Sequence, residues 1–404
     1  MNTQYPAIVR ERLRRVQPLL IDGALGPASD GRSIEVQDPA TAAVITCAAA
    51  ATAADTEAAV AAARRSFDQG TWTARTPAER ARVLWRIAEL IEANADELAW
   101  LEMLDAGKSL ACARNGEIPF AAECFRYYAG WCTKIEGSTK QLSTVPGQEF
   151  HIYTRREPIG VAALIVPWNG PLVQAAWKVA PALAVGCSCI LKPATQTPLS
   201  AIRLGELALE AGVPAGVLNV LPGAGSVVGA ALAAHPLVDK VSFTGSTAVG
   251  RQILDAARGN LKKVSLELGG KSPVIVFDDA DIDAAIEGAA QAIFANAGQV
   301  CVAGSRLYVH EAVYARVLDG VAAIARGLRL GPGTDPAAQM GPLISAAHLD
   351  GVCRMIEDGL HEGVLVRRVL LLPGERLGHR DLVEERELHH LRSWPWRSVG
   401  RACH

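Results

Sequence analysis

The sequence predicts an α/β fold with a doubly wound parallel sheet, a second and smaller α/β unit, and a projecting β-hairpin. Half of the 404 residues are hydrophobic and 20% are charged, which excludes a wholly disordered chain. The length exceeds that of one small domain. From Val161 onward, apolar strand patterns alternate with helical ones. This alternation is typical of parallel sheets, because each helix returns the chain to the same end of the sheet.

Net charge and cysteine spacing exclude several classes of protein. The 40 Lys and Arg residues nearly balance the 42 Asp and Glu residues, so charge gives no reason to expect nucleic-acid binding. The nine cysteines form no CxxC pair, which argues against a metal site, and reduced thiols in the cytoplasm are expected. The longest uncharged stretch, residues 158–177, contains Pro-Trp-Asn-Gly-Pro. It therefore predicts strand, turn and helix rather than a membrane span.

The N-terminal part of the chain predicts several helices. Four arginines between residues 10 and 15 predict a basic surface helix, with a short mitochondrial transit peptide as the alternative. The Ala-rich segment 53–67 has a helical pattern. Thr76 and Glu79, with a proline between them, have the spacing of a capping box and predict a helix start. A further helix is expected near residues 95–106.

Residues 138–156 predict a β-hairpin, because a Pro-Gly turn at 144–148 separates two polar, strand-like arms. A contact between subunits and a plain surface hairpin are equally good interpretations of this arm. Beyond it, strands are expected at 161–166, 188–191, 216–221, 240–243, 264–268, 273–277 and 306–310, and helices at 171–185, 198–211, 226–235, 246–258, 282–297 and 312–328.

The composition changes after Gly363. Residues 364–404 contain one alanine, no lysine and eight arginines, with Trp-Pro-Trp at 394–396. This shift predicts a changed reading frame or a foreign tail that is not native to the fold. A genuine basic tail is the alternative.

Two glycine-containing segments follow predicted strands. Gly223, Gly225 and Gly229 form G-x-G-x-x-x-G, a weak variant of the dinucleotide fingerprint. The segment 243–250 (Phe-Thr-Gly-Ser-Thr-Ala-Val-Gly) follows a strand and opens a helix, where backbone N–H groups suit a pyrophosphate and Gly245 allows a tight turn. A simple strand–helix turn is the alternative. An ATP site is disfavoured, because no Lys-Ser/Thr follows.

Three residues could carry chemistry. Cys301 lies just past a predicted helix, and its thiol is an efficient nucleophile only if its surroundings activate it; a buried structural cysteine is the alternative. Glu267, between two leucines at a strand end, is costly to bury unless it pairs with Lys271 or acts as a general base. Asn169 follows a strand, where its amide could stabilise an oxyanion or simply serve a turn.

Taken together, these motifs and residues make the chain resemble the aldehyde dehydrogenase superfamily, from about Leu20 to Gly363. The resemblance rests on five ordered motifs: Pro-Trp-Asn at 167–169, Lys-Pro-Ala at 192–194 with Thr-Pro at 197–198, Phe-Thr-Gly-Ser-Thr at 243–247, Glu-Leu-Gly-Gly-Lys at 267–271 and Gly-Gln-Val-Cys at 298–301.

The resemblance implies a mechanism and a cofactor. Cys301 would attack the aldehyde, Asn169 and the Cys301 backbone N–H would hold the oxyanion, and Glu267 would activate water to release the acid. The cofactor would be NAD or NADP. The positions that match its binding site are Ile165, Val166, Pro167, Trp168, Lys192, Ala194, Thr195, Gly225, Gly229, Phe243, Thr244, Gly245, Ser246, Val249, Gly250, Leu268 and Gly269.

The cofactor and the aldehyde are further specified by similarity. Lys192 matches a ribose-contacting position, and Thr195 stands where NAD-preferring relatives carry Glu, so NADP is expected to be tolerated. Trp177, Val300 and Val302 match positions that line the aldehyde tunnel, and such an apolar channel suits an apolar or aromatic aldehyde. Segments 129–135 and 298–306 are most similar to phenylacetaldehyde dehydrogenases.

The resemblance also implies a domain organisation. Residues 20–137 and 157–268 would form a Rossmann-like cofactor-binding domain, 138–156 an oligomerisation hairpin, and 269–363 a catalytic domain. That domain would be incomplete, since the sequence contains no Phe-Gly-Pro and thus no Glu-x-Phe-Gly-Pro motif. A truncated or frame-shifted chain with weak activity, a tendency to aggregate and a compromised homo-oligomer is expected. The alternative is a non-catalytic remnant that at most binds nucleotide.

Overall fold

The structure is a computed structural model, and it describes residues 5–142, 146–361 and 396–401 of the chain. The chain divides into two compact units, residues 1–268 and residues 269–404.

The first unit contains eleven strands and ten α-helices among its described residues. The strands are β1 (Leu19–Ile21), β2 (Ala24–Gly26), β3 (Ser33–Gln37), β4 (Val44–Ala49), β5 (Thr139–Lys140), β6 (Ile152–Tyr153), β7 (Val161–Ile165), β8 (Ser188–Lys192), β9 (Leu218–Val220), β10 (Lys240–Gly245) and β11 (Lys263–Leu268). The helices are α1 (Ala7–Leu13), α2 (Ala53–Asp68), α3 (Pro77–Ala93), α4 (Ala95–Ala106), α5 (Leu110–Cys112), α6 (Ile118–Trp131), α7 (Pro171–Val185), α8 (Leu199–Glu210), α9 (Ala230–Ala234) and α10 (Thr247–Ala257), with π-helical turns at Ala113–Glu117 and Gly225–Gly229.

A seven-stranded sheet forms the centre of this unit, in the order β11-β10-β7-β8-β9-β1-β2. The five strands from β7 to β11 run parallel, whereas β1 and β2 extend the edge in antiparallel fashion. The strand order reverses between β7 and β10. In a doubly wound sheet, a ligand crevice forms at the carboxyl ends of the strands at this reversal. The predicted fold class is confirmed.

Helices cover both faces of the sheet. Ala162 and Leu164 of β7 pack into one buried cluster with helices that include α3, α6 and α7. Val161, Ala163 and Ile165 pack into a second cluster on the opposite face. Successive residues of a strand point to opposite faces. A strand buried on both faces therefore reads as a continuous apolar run, which is how this segment appears in the sequence.

The capping signals act as the sequence predicts. Thr76 accepts a hydrogen bond from the Glu79 backbone N–H (3.3 Å), and the Glu79 carboxylate accepts one from the Thr76 N–H (2.7 Å). This reciprocal pair satisfies two donors at the start of α3 that the helix itself leaves open.

The N-terminal helix differs from the expected basic surface helix. Arg12 of α1 is buried, and its guanidinium contacts Glu97 of α4 (2.6 Å) and Glu206 of α8 (2.7 Å). Two carboxylates from separate helices offset the cost of burying the charge, so this arginine fixes α1 to the body of the unit.

The expected hairpin is present as the antiparallel pair β5 and β6, with Thr139 opposite Tyr153. Gly147 in its turn has a φ of 80°. Part of the predicted turn, residues 143–145, lies outside the described residues.

The second unit contains three strands and three α-helices among its described residues: β12 (Pro273–Val276), β13 (Arg306–His310), β14 (Trp396–Arg401), α11 (Ile282–Phe294), α12 (Tyr314–Gly327) and α13 (Ala346–His361). Strands β12 and β13 are parallel, and β14 pairs antiparallel with β13. Val276, Ile282, Val309 and Val317 form its small buried core.

The predicted tail, residues 364–404, lies outside the described residues except for β14. Throughout the described part of the chain, the structure shows no helix with the length and hydropathy needed to cross a membrane.

Candidate active site

The carboxyl ends of the parallel strands bring many predicted site residues to one edge of the first unit. The register pairs Ile165 of β7 with Lys192 of β8 and with Phe243 of β10. It also pairs Thr244 with Glu267, and Gly245 with Leu268. Pro167, Trp168 and Asn169 follow β7 at the same edge. Residues from four separate strands thus meet where doubly wound sheets bind ligands.

Gly245 serves a different purpose from the tight turn that the sequence suggested. Its φ is not positive, but a Cβ at this position would lie 2.5 Å from the Phe243 ring. Gly250 likewise leaves room for Leu268, which a Cβ would approach to 2.8 Å. These glycines allow close packing at the end of β10 and the start of α10, where Ser246 caps the helix by accepting from the Val249 N–H (3.3 Å).

Lys192 is buried, and its Nζ donates to the backbone oxygen of Pro193 (2.7 Å). Burial lowers the pKa of Lys192 to about 8. Thr195 is half-buried, and its hydroxyl donates to the Gly223 carbonyl (3.2 Å). This contact joins the Lys-Pro-Ala segment to the glycine segment before Gly225 and Gly229, which the sequence identified as separate motifs.

Glu267 lies at the carboxyl end of β11, and the cost of burial that its two leucine neighbours raised does not arise. Its side chain is exposed, because side chains alternate along a strand and the partly buried Leu266 and Leu268 occupy the other face. The alternative partner for Glu267, Lys271, belongs to the second unit.

Lys178 is a residue of this site that the sequence analysis did not identify. It lies on α7, is buried, and its Nζ donates to Ser242 Oγ of β10 (2.9 Å). Burial lowers the pKa of Lys178 to about 8; the charge of Glu267 opposes this shift, and Lys240 adds to it. A sequence signal existed, since Lys178 is the first charged residue after the long uncharged stretch 158–177.

Cys301 lies in the second unit, on a loop with unusual backbone geometry. Helix α11 ends at Phe294, earlier than expected, because Asn296, Ala297 and Gly298 all have positive φ (50°, 56° and 77°). Two non-glycine residues in the left-handed region are strained, and such strain is concentrated at functional sites.

The loop is held by hydrogen bonds around the cysteine. The Gln299 side chain donates to the Asn296 carbonyl (3.0 Å) and accepts from the Ile344 N–H (2.9 Å). A Cβ at Gly270 would lie 2.9 Å from the Cys301 carbonyl oxygen, so only glycine allows this close approach. Cys301 and Val300 are half-buried and Val302 is exposed. Among the described residues, the Cys301 backbone N–H donates to no other backbone carbonyl.

Trp177, a predicted substrate residue, is 44% exposed on α7. Its ring packs edge to face against Phe120 of α6, which is 53% exposed, with centroids 5.8 Å apart. Phe120 was not identified from the sequence, since no helix was predicted for its segment. Two large exposed aromatic rings in contact form a surface that suits an apolar ligand.

The residues at the sheet edge fit a dinucleotide. The Thr244 hydroxyl is buried and has no hydrogen-bond partner among the described residues, so a ligand could satisfy it. Lys192 supplies a buried ammonium, which donates to the Pro193 carbonyl and has further N–H donors for a ligand. A Cβ at Gly229 would lie 3.9 Å from the Lys192 side chain, in van der Waals contact, so the glycine segment packs directly beside this lysine. Cationic and N–H donors at a helix start suit a phosphorylated ligand.

Comparison with known proteins gives a consistent result. A model of the aldehyde dehydrogenase family matches residues 27–376, which continues past Gly363. A phenylacetaldehyde dehydrogenase from Pseudomonas fluorescens is 48% identical over 365 residues, which covers 90% of this chain and 72% of that protein. A mitochondrial aldehyde dehydrogenase from Leishmania tarentolae is 46% identical, with 90% of this chain and 71% of that protein covered.

Solved structures agree with the sequence comparisons. The NAD+ complex of an aldehyde dehydrogenase from Bacillus cereus is similar to this structure with a TM-score of 0.87 and 44% identity, covering 90% of this chain and 73% of that one.

Proposed function

Because this chain belongs to the aldehyde dehydrogenase family of oxidoreductases, we propose that it oxidises an aldehyde to a carboxylic acid with NAD or NADP. The observation that carries the proposal is the family match over residues 27–376, which includes Cys301, Glu267 and Asn169. Structures of relatives with bound NAD+ support the choice of cofactor.

The first step of the proposed mechanism is nucleophilic. The Cys301 thiolate attacks the aldehyde carbon, forming a thiohemiacetal whose oxygen carries the developing negative charge. The Asn169 amide and the Cys301 backbone N–H donate hydrogen bonds to that oxygen. Preorganised donors of this kind stabilise the transition state because they need no reorientation as the charge forms.

When bound, a nicotinamide cofactor held by sheet-edge residues that include Lys192 and Thr244 would supply an acceptor for the hydride of the substrate carbon. The substrate then remains attached to Cys301 as a thioester. Glu267 removes a proton from a water molecule, and that water attacks the thioester to release the acid and the free thiol. The exposure of Glu267 gives its carboxylate direct access to water.

For the substrate, we propose an apolar and preferably aromatic aldehyde, such as phenylacetaldehyde. The exposed Phe120–Trp177 pair supports this choice, since its edge-to-face rings offer a surface on which an aromatic side chain could stack. Val300 and Val302 flank the nucleophile with further apolar surface. The relative from Pseudomonas fluorescens that is named a phenylacetaldehyde dehydrogenase supports the same class.

The proposal extends to the cofactor's phosphate and to the domains. Thr195 carries no negative charge, so we propose that NADP is accepted as well as NAD.

Residues 20–137 and 157–268 bind the cofactor, and 269–363 carry the nucleophile. The hairpin 138–156 serves a homo-oligomer. A cytoplasmic location accords with the eight described cysteines, all of which are free.

The test is NADH formation from phenylacetaldehyde by the full chain and by Cys301→Ala. We expect the substitution to reduce turnover by more than about 10³-fold, because the covalent step loses its nucleophile. Cys353→Ala is the matched control, since Cys353 is also a half-buried free thiol of the second unit, and its activity should equal that of the unchanged chain.

Cofactor binding should survive in the Cys301→Ala variant, as measured by quenching of tryptophan fluorescence. If the unchanged chain binds NAD+ but shows no Cys301-dependent turnover, the alternative of a nucleotide-binding remnant would replace this proposal.

A further inference from the structure

A buried group of charged residues lies beneath the loop that carries Asn169. Helix α4 contributes Glu102 and Asp105, and Lys108 follows Gly107, the residue that caps the end of this helix. All three charged residues are at most 4% exposed. Glu117, from the π-helical turn 113–117, joins them. The proposed mechanism uses none of these residues, and so many buried charges require a structural or functional reason.

Lys108 is the centre of this group. Its Nζ contacts Glu102 Oε2 (3.3 Å) and Glu117 Oε2, and it also donates to the main-chain oxygen of Asn169 (3.3 Å). An ammonium has three donor directions and no acceptor. The three acceptors belong to different elements, namely α4, the π-helical turn 113–117 and the loop 166–170. The Glu102 and Glu117 carboxylates therefore fix the ammonium that holds the Asn169 carbonyl.

The other end of the same loop is held by Glu102. Its Oε1 accepts from the Leu172 N–H in the first turn of α7 (2.8 Å) and from the Ser200 hydroxyl. The loop 166–170 lies between β7 and α7. The same connected group of charged residues therefore hydrogen-bonds to this loop at Asn169 and to the chain just after it at Leu172. A carboxylate at a helix N-terminus is also favoured by the helix dipole.

The contact from Lys108 is made to the backbone carbonyl of Asn169 and not to its side chain. Fixing the carbonyl of a residue restricts the rotation of its peptide plane and so the direction of its Cα–Cβ bond. Small errors in the placement of an oxyanion donor reduce its contribution, because these hydrogen bonds require about 3 Å and good alignment.

We propose that Lys108, held by Glu102 and Glu117, is a positioning residue that orients Asn169 through its backbone carbonyl. The inference rests on the proposed function only where it gives Asn169 the role of oxyanion donor. The geometric part, that Lys108 orders the loop 166–170, stands independently of any activity.

The experiment compares Lys108→Met with Lys262→Met in the full chain. Lys262 is the matched control, since it is also buried and donates to two backbone carbonyls, those of Ala233 (2.8 Å) and His235 (2.7 Å), away from the loop. Hydrogen exchange of the peptides that cover residues 166–172 reports loop order. Steady-state rates with phenylacetaldehyde and NAD+ report the oxyanion contribution.

For Lys108→Met we expect loop exchange to rise at least about tenfold and kcat to fall about 10- to 100-fold, with KM for both substrates within about twofold of the unchanged chain. Lys262→Met should leave loop exchange and kcat unchanged. Glu117→Gln, which keeps an acceptor for Lys108, should retain most of the rate.

Unchanged loop exchange in Lys108→Met, or an equal rise in Lys262→Met, would overturn the inference. An increase in loop exchange with an unchanged kcat in Lys108→Met would also overturn the inference, because Lys108 would then have only a structural role. If the unchanged chain shows no turnover, the proposed function fails, while the exchange data still decide whether Lys108 orders the loop. If Lys108→Met does not fold, the double variant Lys108→Met with Glu117→Gln, which removes one charge of each sign, takes its place.

Discussion

Burial lowers the pKa of two lysines of the first unit, Lys192 and Lys178, to about 8. Lys192 was identified from the Lys-Pro-Ala motif, but its burial could not be predicted from that motif. The exposure of Glu267 could not be predicted from its two leucine neighbours, because the face that a strand residue occupies depends on the register of the neighbouring strands. Lys178 was missed since its partner, Ser242, is distant in sequence.

The small, neutral side chain at position 195 gives a prediction about the cofactor. Thr195→Glu should weaken NADP binding by about 10- to 100-fold, because a carboxylate near the 2′-phosphate is repulsive even at a surface. NAD binding should be unchanged or stronger. The dissociation constants of NADPH and NADH, measured by fluorescence, test this.

Thr195→Gln is the control for that substitution, since it adds a similar volume without the charge. Equal losses of NADP affinity in the Gln and Glu variants would show that the size of the side chain at position 195, and not its charge, limits the binding of NADP.

At the scale of elements, local signals predicted most helices and strands after residue 160, because each apolar run is followed by a stop such as Gly186 or Gly212. The helices between residues 110 and 131 could not be predicted in this way. Gly116 and Pro119 interrupt their apolar spacing, and the chain passes through a π-helical turn at Ala113–Glu117. Packing against α3 and α7 stabilises α6 despite its weak local pattern.

The capping box of α3 provides a prediction at this scale. Thr76→Ala should lower the free energy of unfolding by about 1 kcal/mol, because the first turn of the helix loses its side-chain acceptor. Urea unfolding followed by circular dichroism measures the change. Thr76→Ser keeps the hydroxyl and should lose much less; a loss as large as that of Thr76→Ala would show that the methyl group, rather than the cap, matters.

At the scale of the whole molecule, buried charges join segments that are far apart in sequence. Lys108 pairs with Glu102 and Glu117, which are close to it in sequence, and also donates to the Asn169 carbonyl, 61 residues away. Asp105, in the same group, accepts from the Leu199 N–H, 94 residues away (3.0 Å). Burial raises the pKa of Asp105 well above its ordinary range, and Glu102 adds to the shift. Such long-range contacts could not be predicted from the sequence, because no local pattern indicates which distant backbone group a buried charged side chain meets.

This group predicts a dependence of stability on pH. Burial raises the pKa of Glu117 from 4.5 to about 7; Glu102 acts in the same direction and Lys108 opposes it. The folded state therefore binds this proton more tightly than the unfolded state. The stabilisation of the folded state by the protonated Glu117 carboxyl is complete below about pH 4.5 and is lost as the pH rises towards 7.

Glu117→Gln removes that titration. The thermal midpoint of the unchanged chain, relative to that of Glu117→Gln, should fall between pH 4.5 and 7 and be constant at lower pH. A difference that stays the same across this range would indicate that Glu117 does not hold the proton.

In the proposed mechanism, Cys301 carries the substrate as a thioester until Glu267 activates the water that releases it. The most direct measurement is mass spectrometry of the Glu267→Gln chain after incubation with phenylacetaldehyde and NAD+. We expect a phenylacetyl group on the peptide that contains Cys301, together with about one NADH formed per chain in a single burst. An unmodified Cys301 alongside continued production of phenylacetic acid would contradict it.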